Sequence, residues 1–407
     1  MSCDIPISLE DYIKPYGLHG GLLRLEFIAR NANAPELLNA RREALRLGLE
    51  IVRQSSNVNA YETFHSLHQE LLGEAAPVPL DNVWIDATDK ASQQLLGAFE
   101  QEIGQCKLSQ QKENTRLAYV NLAGVHADRG DFSSAVTAAI KARECCDSSN
   151  VVPMCFLVIK YAAMNHAFLE ISCHAGKAQH TPDKNDSETA NVSAAWGLFY
   201  MCSAKYAEAA TNFFSTKDGH LANVLSDVIA PQDVAVYGIL CALATMNRDE
   251  LRKQMEQLSK NWIKGLTSVP AIWDIVDCFI NCKYAQGLEA LERIRPSFDL
   301  DIYLAKHIGP LCEQIRHSAI IQFFTPFRSL RLSSMAEVFR VTPEVLQKEL
   351  AELIRKKRLE ARIDTHQQVL VDAKRYAFNF PLSVELSASA VVVHSDLILS
   401  WCGMKFI

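Results

Sequence analysis

The stretch HSLH at residues 65–68 sets His65 and His68 on one face of any helix that carries them, with Glu62 and Glu70 close by. Two imidazoles so spaced can share a divalent cation, and a nearby carboxylate could serve as a general base. No third ligand and no placed catalytic carboxylate accompany them, so a solvated helix face is the expected reading. The rest of the chain offers no better chemistry. It holds no HExxH, no HxH of the kind a metal isopeptidase needs, no GxSxG and no phosphate-cradling glycine loop. Its 17 glycines stand singly apart from Gly20 and Gly21. Of the 12 cysteines, Cys145 and Cys146 are adjacent, and Cys278 and Cys282 lie within one helical pattern. Neither pair has zinc-site spacing, and small core thiols are expected. His126, His166 and His220 sit in repeat-like packing contexts. No catalytic, metal or cofactor-binding residue is therefore assigned, and the chain is not expected to be an enzyme.

The elements that would have to position such residues are mostly helical. The 407 residues are enough for two or three domains, with 49% hydrophobic and 22% charged side chains and a net charge of −6. Nothing in that balance draws the chain toward phosphate or anionic lipid. The start, MSCDIPISLEDYIKPYG, lacks the basic-then-apolar order of a secretory signal. The most apolar run, SASAVVVHSDLILSWCGMKFI, is broken by His394 and Asp396 and does not read as a membrane span. Reduced thiols and residence in the cytoplasm and nucleus are expected.

From Leu22 to Leu72 apolar residues recur at helical steps, as in Leu37, Leu38, Ala44, Leu45, Leu49 and Val52. AAPVPLDN is a proline-bearing break, and Trp84 opens a long helix reaching about Cys106. An internal repeat follows. NLAGVHADRGDFSSAVTAAIKA and WGLFYMCSAKYAEAATNFF align on Ala135 and Ala209, 74 residues apart. That separation is about two repeats of the tetratricopeptide type, each roughly 34 residues long. Gly197 and the alanines would sit at tight helix crossings, with Phe132, Tyr206 and Phe213 on the shared face. VVPMCFLVIKYAAMNHAFLEI supplies a degenerate unit between them, and GKAQHTPDKNDSETAN a polar loop.

Ser333 to Val371 reads as a short helix, a turn, a longer helix and a β-hairpin, the layout of a winged helix. Thr342 and Pro343 suit an N-cap and first helical turn. Val345, Leu346, Leu350, Leu353 and Ile354 form one stripe. Leu359, Ala361 and Ile363 alternate, and Val369 and Val371 alternate back. The predicted fold class is thus mainly α, a TPR-like helical-repeat solenoid followed by a winged-helix domain with a small β-hairpin.

Charge decides how such a wing would be used. Between Ser333 and Ala373 seven basic residues meet seven acidic ones. DNA readers draw their baseline affinity from a phosphate-binding face, and they turn the start of the second helix toward base edges. Here that start carries Glu344, Glu349 and Glu352, while Arg355 to Arg358 lie at the helix end, where cations complement the dipole. Protein docking is the expected use, and nucleic acid a disfavoured alternative.

Several long tracts carry a family resemblance. They are GLLRLEFIARNANAPELLNARREALRLGLEIVRQSSNVNAYETFH, RGDFSSAVTAAIKARECCDSSNVVPMCFLVIK, PQDVAVYGILCALATMNRDEL, DLDIYLAKHIGPLCEQIRHSAIIQFFTPF and the winged-helix stretch. Over about residues 11–373 the sequence resembles PCI-domain proteins, specifically the family of COP9 signalosome subunit 1. The paralogous non-ATPase regulatory subunit of the proteasome lid is the alternative. The resemblance implies an N-terminal helical segment at 1–80, TPR-like repeats at 81–202 and a PCI domain at 203–373. Within that domain it implies a helical bundle at 203–316 and a winged helix at 317–373. It also implies a non-catalytic scaffold that supports removal of NEDD8 from cullin-RING ubiquitin ligases, with the metal centre in another subunit.

Partners on this reading are other PCI and MPN subunits, joined laterally through winged helices. The ligases would be reached indirectly or through the N-terminal helices. An exposed hairpin edge can add strands to a neighbour's sheet. The expected docking edge is Arg362, Ile363, Asp364, Val369, Leu370 and Val371. After the wing, family members continue into a charged helix, whereas residues 374–407 are sparsely charged. There Leu382, Val384 and Leu386 alternate as in a strand.

Overall fold

A computed structural model describes residues 9–32, 35–72, 79–147, 150–182, 184–216, 225, 227–261 and 270–373. His220 and the atypical tail at 374–407 lie outside the described residues. In chain order the helices are α1 (Leu9–Ile13), α2 (Leu18–Asn31), α3 (Leu38–Val52), α4 (Val58–Leu72), α5 (Asn82–Leu108) and α6 (Lys112–Asp128). They continue as α7 (Phe132–Glu144), α8 (Val151–Met164), α9 (Phe168–His180), α10 (Asp186–Cys202), α11 (Tyr206–Ser215) and α12 (Pro231–Thr245). Next come α13 (Arg248–Asn261), α14 (Pro270–Ile280), α15 (Tyr284–Phe298) and α16 (Ala305–Phe324). The chain then runs through β1 (Ser329–Arg331), α17 (Leu332–Phe339), α18 (Pro343–Arg355), β2 (Ala361–Asp364) and β3 (Val369–Asp372). These residues form two compact units, divided at Cys241 and again within 258–310.

The first unit is a helical solenoid. From α5 to α11 each helix packs against the next in sequence, as units that cannot bury their apolar faces alone must do. The turns between hairpin partners repeat one device. Gly130, His166 and Ala204 each lie two residues past a helix end with positive φ, at 79°, 54° and 57°. Each donates its N–H three residues back, and the following residue donates five back. The pairs are Asp131 N to His126 O at 2.9 Å, Ala167 N to Ala162 O at 2.8 Å and Lys205 N to Tyr200 O at 2.9 Å. This Schellman pattern satisfies the orphan carbonyls of the first helix and reverses the chain into the second. The three sites recur at steps of 36 and 38 residues, so the degenerate middle unit is a full repeat.

Small residues occupy the crossings as the repeat requires. Ala123, Ala135, Ala142 and Ala209 are fully buried. A Cβ at Gly197 would stand 2.5 Å from the Phe213 ring, so any larger residue would force the ring or the helix to shift. The polar stretch expected to be a loop is largely helical: α9 continues to His180, and α10 restarts at Asp186 behind an Asn185–Glu188 capping box.

The second unit centres on an aromatic cluster. Tyr284 stacks on Phe339 at 6.2 Å and meets Phe279 edge-on at 5.6 Å, and Phe323 meets Phe339 edge-on at 5.5 Å. Beyond it the winged helix closes with a sheet of order β1-β3-β2, all antiparallel. Its apolar layer comes from Leu332, Met335, Ala336 and Phe339 of α17 and from Leu346, Leu350 and Leu353 of α18. Among the described residues no helix is long and apolar enough to cross a membrane.

Candidate protein-docking surface

Of the two histidines at 65 and 68, the first is buried and the second half-buried. His65 is 7% exposed and packs beside the Tyr61 ring, with centroids 6.5 Å apart, so within the stretch expected to be a solvated face His65 itself belongs to the core. Tyr61 also meets Trp84 at 5.0 Å. Glu62 and Glu70 are exposed. Among the described residues no three His, Cys, Asp or Glu side chains are grouped as a metal site. Burial pushes the Cys155 thiol up to about 11 and the Cys202 thiol up to about 12, so both stay protonated and unreactive at neutral pH.

One buried charged constellation escaped the sequence reading. Arg24 of α2 is 1% exposed. It donates to the Tyr12 hydroxyl at 3.0 Å, Asp301 at 2.9 Å, the Val228 carbonyl at 3.1 Å and Asp233 at 3.3 Å. Its guanidinium lies 3.8 Å from the Tyr16 ring centroid. Tyr16 donates to Asp233 at 2.6 Å and Tyr237 to Asp301 at 2.7 Å, while Asp301 also caps the Tyr303 and Leu304 amides. Burial, opposed by Arg24, pushes the Asp233 carboxyl up to about 6. Perturbed acids of this kind mark catalytic sites in clefts. Here every member is spent on another, and the assembly acts as a polar staple fastening α2 to α12 and to the segment before α16.

The winged helix presents mixed charge. On α18 Glu349 is held by Arg316 at 3.1 Å through both carboxylate oxygens, and Glu352 by Lys356 at 2.6 Å. The α17–α18 turn places Arg340 on Glu289 at 2.7 Å. Glu344 and Val345 stand exposed at the start of α18, where a DNA reader needs donors for base edges. Val345 was expected in the buried stripe. It is 45% exposed, because one position before Leu346 turns its side chain about 100° around the helix, off the face that Leu346, Leu350 and Leu353 share.

The sheet corrects the expected docking edge. The hairpin is joined by a third strand, β1, so β3 is central and its backbone is engaged on both sides. Asp372 N donates to Arg328 O at 3.0 Å toward β1, and Ala373 N donates to Glu360 O at 3.0 Å toward β2. Val369, Leu370 and Val371 are therefore not an edge. Leu370 is fully buried, paired across the sheet with Leu330 and Ile363, while Val369 and Val371 share the other face. The alternation expected in β3 on Val369 and Val371 is one residue out of phase, while that expected on Leu359, Ala361 and Ile363 agrees with the burial. Arg362, Ile363 and Asp364 do lie on an edge. Because Glu360, Arg362 and Asp364 face β3 in the ladder, the N–H and C=O groups of Ala361 and Ile363 point outward.

Against known proteins, the family described as 26S proteasome subunit RPN7 matches residues 81–254, and the PCI domain matches residues 291–372. The chain is similar to COP9 signalosome complex subunit 1 of Arabidopsis thaliana, 30% identical over 367 residues, covering 90% of this chain and 82% of that one. The chain belongs to the COP9 signalosome subunit 1 family. Its Drosophila melanogaster relative, subunit 1b, is 29% identical over 419 residues, covering 89% of this chain and 78% of its own. The 26S proteasome non-ATPase regulatory subunit 6 of Caenorhabditis elegans is 26% identical over only 188 residues, 43% of this chain and 42% of its own. Likeness to the signalosome subunit 1 family thus runs through both compact units, from solenoid to wing.

Proposed function

We propose that this chain is a non-catalytic scaffold subunit of a COP9 signalosome. It supports the removal of NEDD8 from cullin-RING ubiquitin ligases, the isopeptidase centre being in another subunit. The observation that carries this is the similarity to signalosome subunit 1 over 90% of the chain. A solenoid with a charge-balanced wing, and a buried ionic cluster closed to substrate, fit that role. The division into repeats at 81–202 and a PCI domain at 203–373 is part of this reading; the family matches begin at 81 and end at 372, in line with its outer bounds, and neither marks the boundary at 202. The partners are other PCI and MPN subunits. The ligases are engaged through them or through the N-terminal helices.

Lateral docking uses the β2 edge, with Arg362, Ile363 and Asp364 facing the neighbour and Val369 to Val371 supporting them from within. An outward amide on an edge strand is the donor that a partner strand requires. Ile363→Pro removes that donor while leaving the β3 ladder intact, since proline is tolerated at an edge position whose N–H faces outward. The variant is expected to melt as the parent does and to lose co-purification with neighbouring PCI subunits. Unchanged assembly of a folded Ile363→Pro chain refutes the edge. The proteasome-lid reading, which shorter matches favour, is separated by which partners are recovered.

A further inference from the structure

The sheet has a second edge, unlike the first. In β1 the pairs 328–372 and 332–368 carry the hydrogen bonds to β3, as Asp372 N to Arg328 O at 3.0 Å and Leu332 N to Gln368 O at 2.9 Å show. Antiparallel pairing alternates, so Leu330 also faces β3, and Ser329 and Arg331 face away from it. That leaves the Ser329 N–H and C=O and the Arg331 N–H directed outward. The Arg331 carbonyl belongs to α17, which Arg331 caps. Arg328, Ser329 and Arg331 are all exposed. Among the described residues neither the Arg328 nor the Arg331 guanidinium has a hydrogen-bond or ion-pair partner, and β1 carries no acid.

We propose that the β1 edge is a second docking site, which takes an extended segment of a partner protein bearing two carboxylates three residues apart. The strand geometry sets the spacing. Three open backbone groups in a row template an added strand, whose cross-strand neighbours to Arg328 and Arg331 are then three positions apart. Because 328 and 331 have opposite parity, their side chains flank the edge on opposite faces, and the two acids must do the same. A second copy of this chain is a poor occupant: an antiparallel register must pair outward-facing residues with each other, which sets Arg331 opposite Ser329 or Arg331 of the other copy, so no acid meets either arginine. The β2 edge differs, with Glu360, Arg362 and Asp364 of mixed sign. The central strand β3 separates the two edges, so this site can fail while the β2 edge stands.

The test is binding of a labelled eight-residue threonine–valine peptide with glutamates three residues apart to the full chain, read by fluorescence anisotropy and by amide exchange. Expected are saturable binding that weakens with salt, slowed exchange at the Ser329 and Arg331 amides, and at least a tenfold loss of affinity in the Arg328→Glu/Arg331→Glu pair. Arg331→Pro should also lose binding more than Arg331→Ala does. Arg331 already has φ −67°, which proline adopts, so the change deletes the outward donor with little strain. If Arg331→Pro does not melt like the parent, the charge-reversed pair, which alters exposed side chains only, decides. Absence of saturable binding overturns the proposal. So does equal binding of the lysine counterpart of the peptide, protection elsewhere than β1, or a phosphate-driven preference for duplex DNA over the peptide. Ile363→Pro should leave peptide binding unchanged.

Discussion

Replacing Arg24 by methionine probes the polar staple most sharply. The change keeps most of the side-chain volume and removes, among the described residues, the only cation within hydrogen-bonding reach of Asp233 and Asp301. Asp301 retains three donors, Tyr237 and two backbone amides. Among the described residues Asp233 keeps Tyr16 and the Ala230 amide. Removing one partner of a buried pair costs about 3–5 kcal/mol, since a charge is left uncompensated in low dielectric. For a body of roughly 150–250 residues, each kcal/mol lowers the melting point by about 2–4 °C, so a fall of roughly 6–20 °C is expected.

The effect depends on pH with a definite sign. Asp233 is an acid whose folded value, about 6, lies above its ordinary 3.8. Its contribution is complete below the ordinary value and is lost as pH rises through the folded one. Without Arg24 the folded value rises further. The penalty of Arg24→Met should therefore be largest at neutral pH and shrink on acidification, and Asp233→Asn in the same chain should recover about 1–3 kcal/mol. Urea unfolding followed by circular dichroism measures both. A cost below about 1 kcal/mol, or no recovery in the double variant, refutes the staple.

Leu370→Asp places a charge at a fully buried central position and should cost more than about 4 kcal/mol, unfolding the wing rather than merely detaching a partner. Hydrogen exchange across 329–372 checks this, and parent-like protection contradicts it. His174 is 2% exposed, and burial first, then Lys177 and Arg143, holds it down at about 4. A base so depressed contributes stability that is present above its ordinary 6.5 and is lost as pH falls through 4. Acidification to about pH 5 should thus cost about 2 kcal/mol through this group, and His174→Gln should remove that share of the loss in urea titrations. A slope unchanged by the substitution contradicts the assignment.

Much of the fold was legible because its signals are local. Helices announce themselves through apolar residues at three- and four-residue steps, and the repeat through Ala135 and Ala209 at matching offsets. What escaped depends on distant partners or on very short elements. Arg24 looks like any helical arginine until Asp233 and Asp301, more than 200 positions away, are brought to it. β1 has three residues and runs directly into α17, too short for alternation to register. Missing it made β3 look like an edge. The phase error at Leu370 has the same root, since three consecutive apolar residues, Val369 to Val371, do not say which face is inside. His65 shows the converse: a polar residue in a polar-looking run is buried, one turn along from the core residue Tyr61, whose ring lies beside it.

The central claim is that the chain works as one member of a cullin-deneddylating assembly, joined through its wing. Affinity purification of the intact chain from native extract, with mass spectrometry of what is retained, tests it most directly. Recovery of the other signalosome PCI and MPN subunits, lost with Ile363→Pro, is the predicted result. Recovery of proteasome-lid subunits in their place, or of the chain alone, contradicts it.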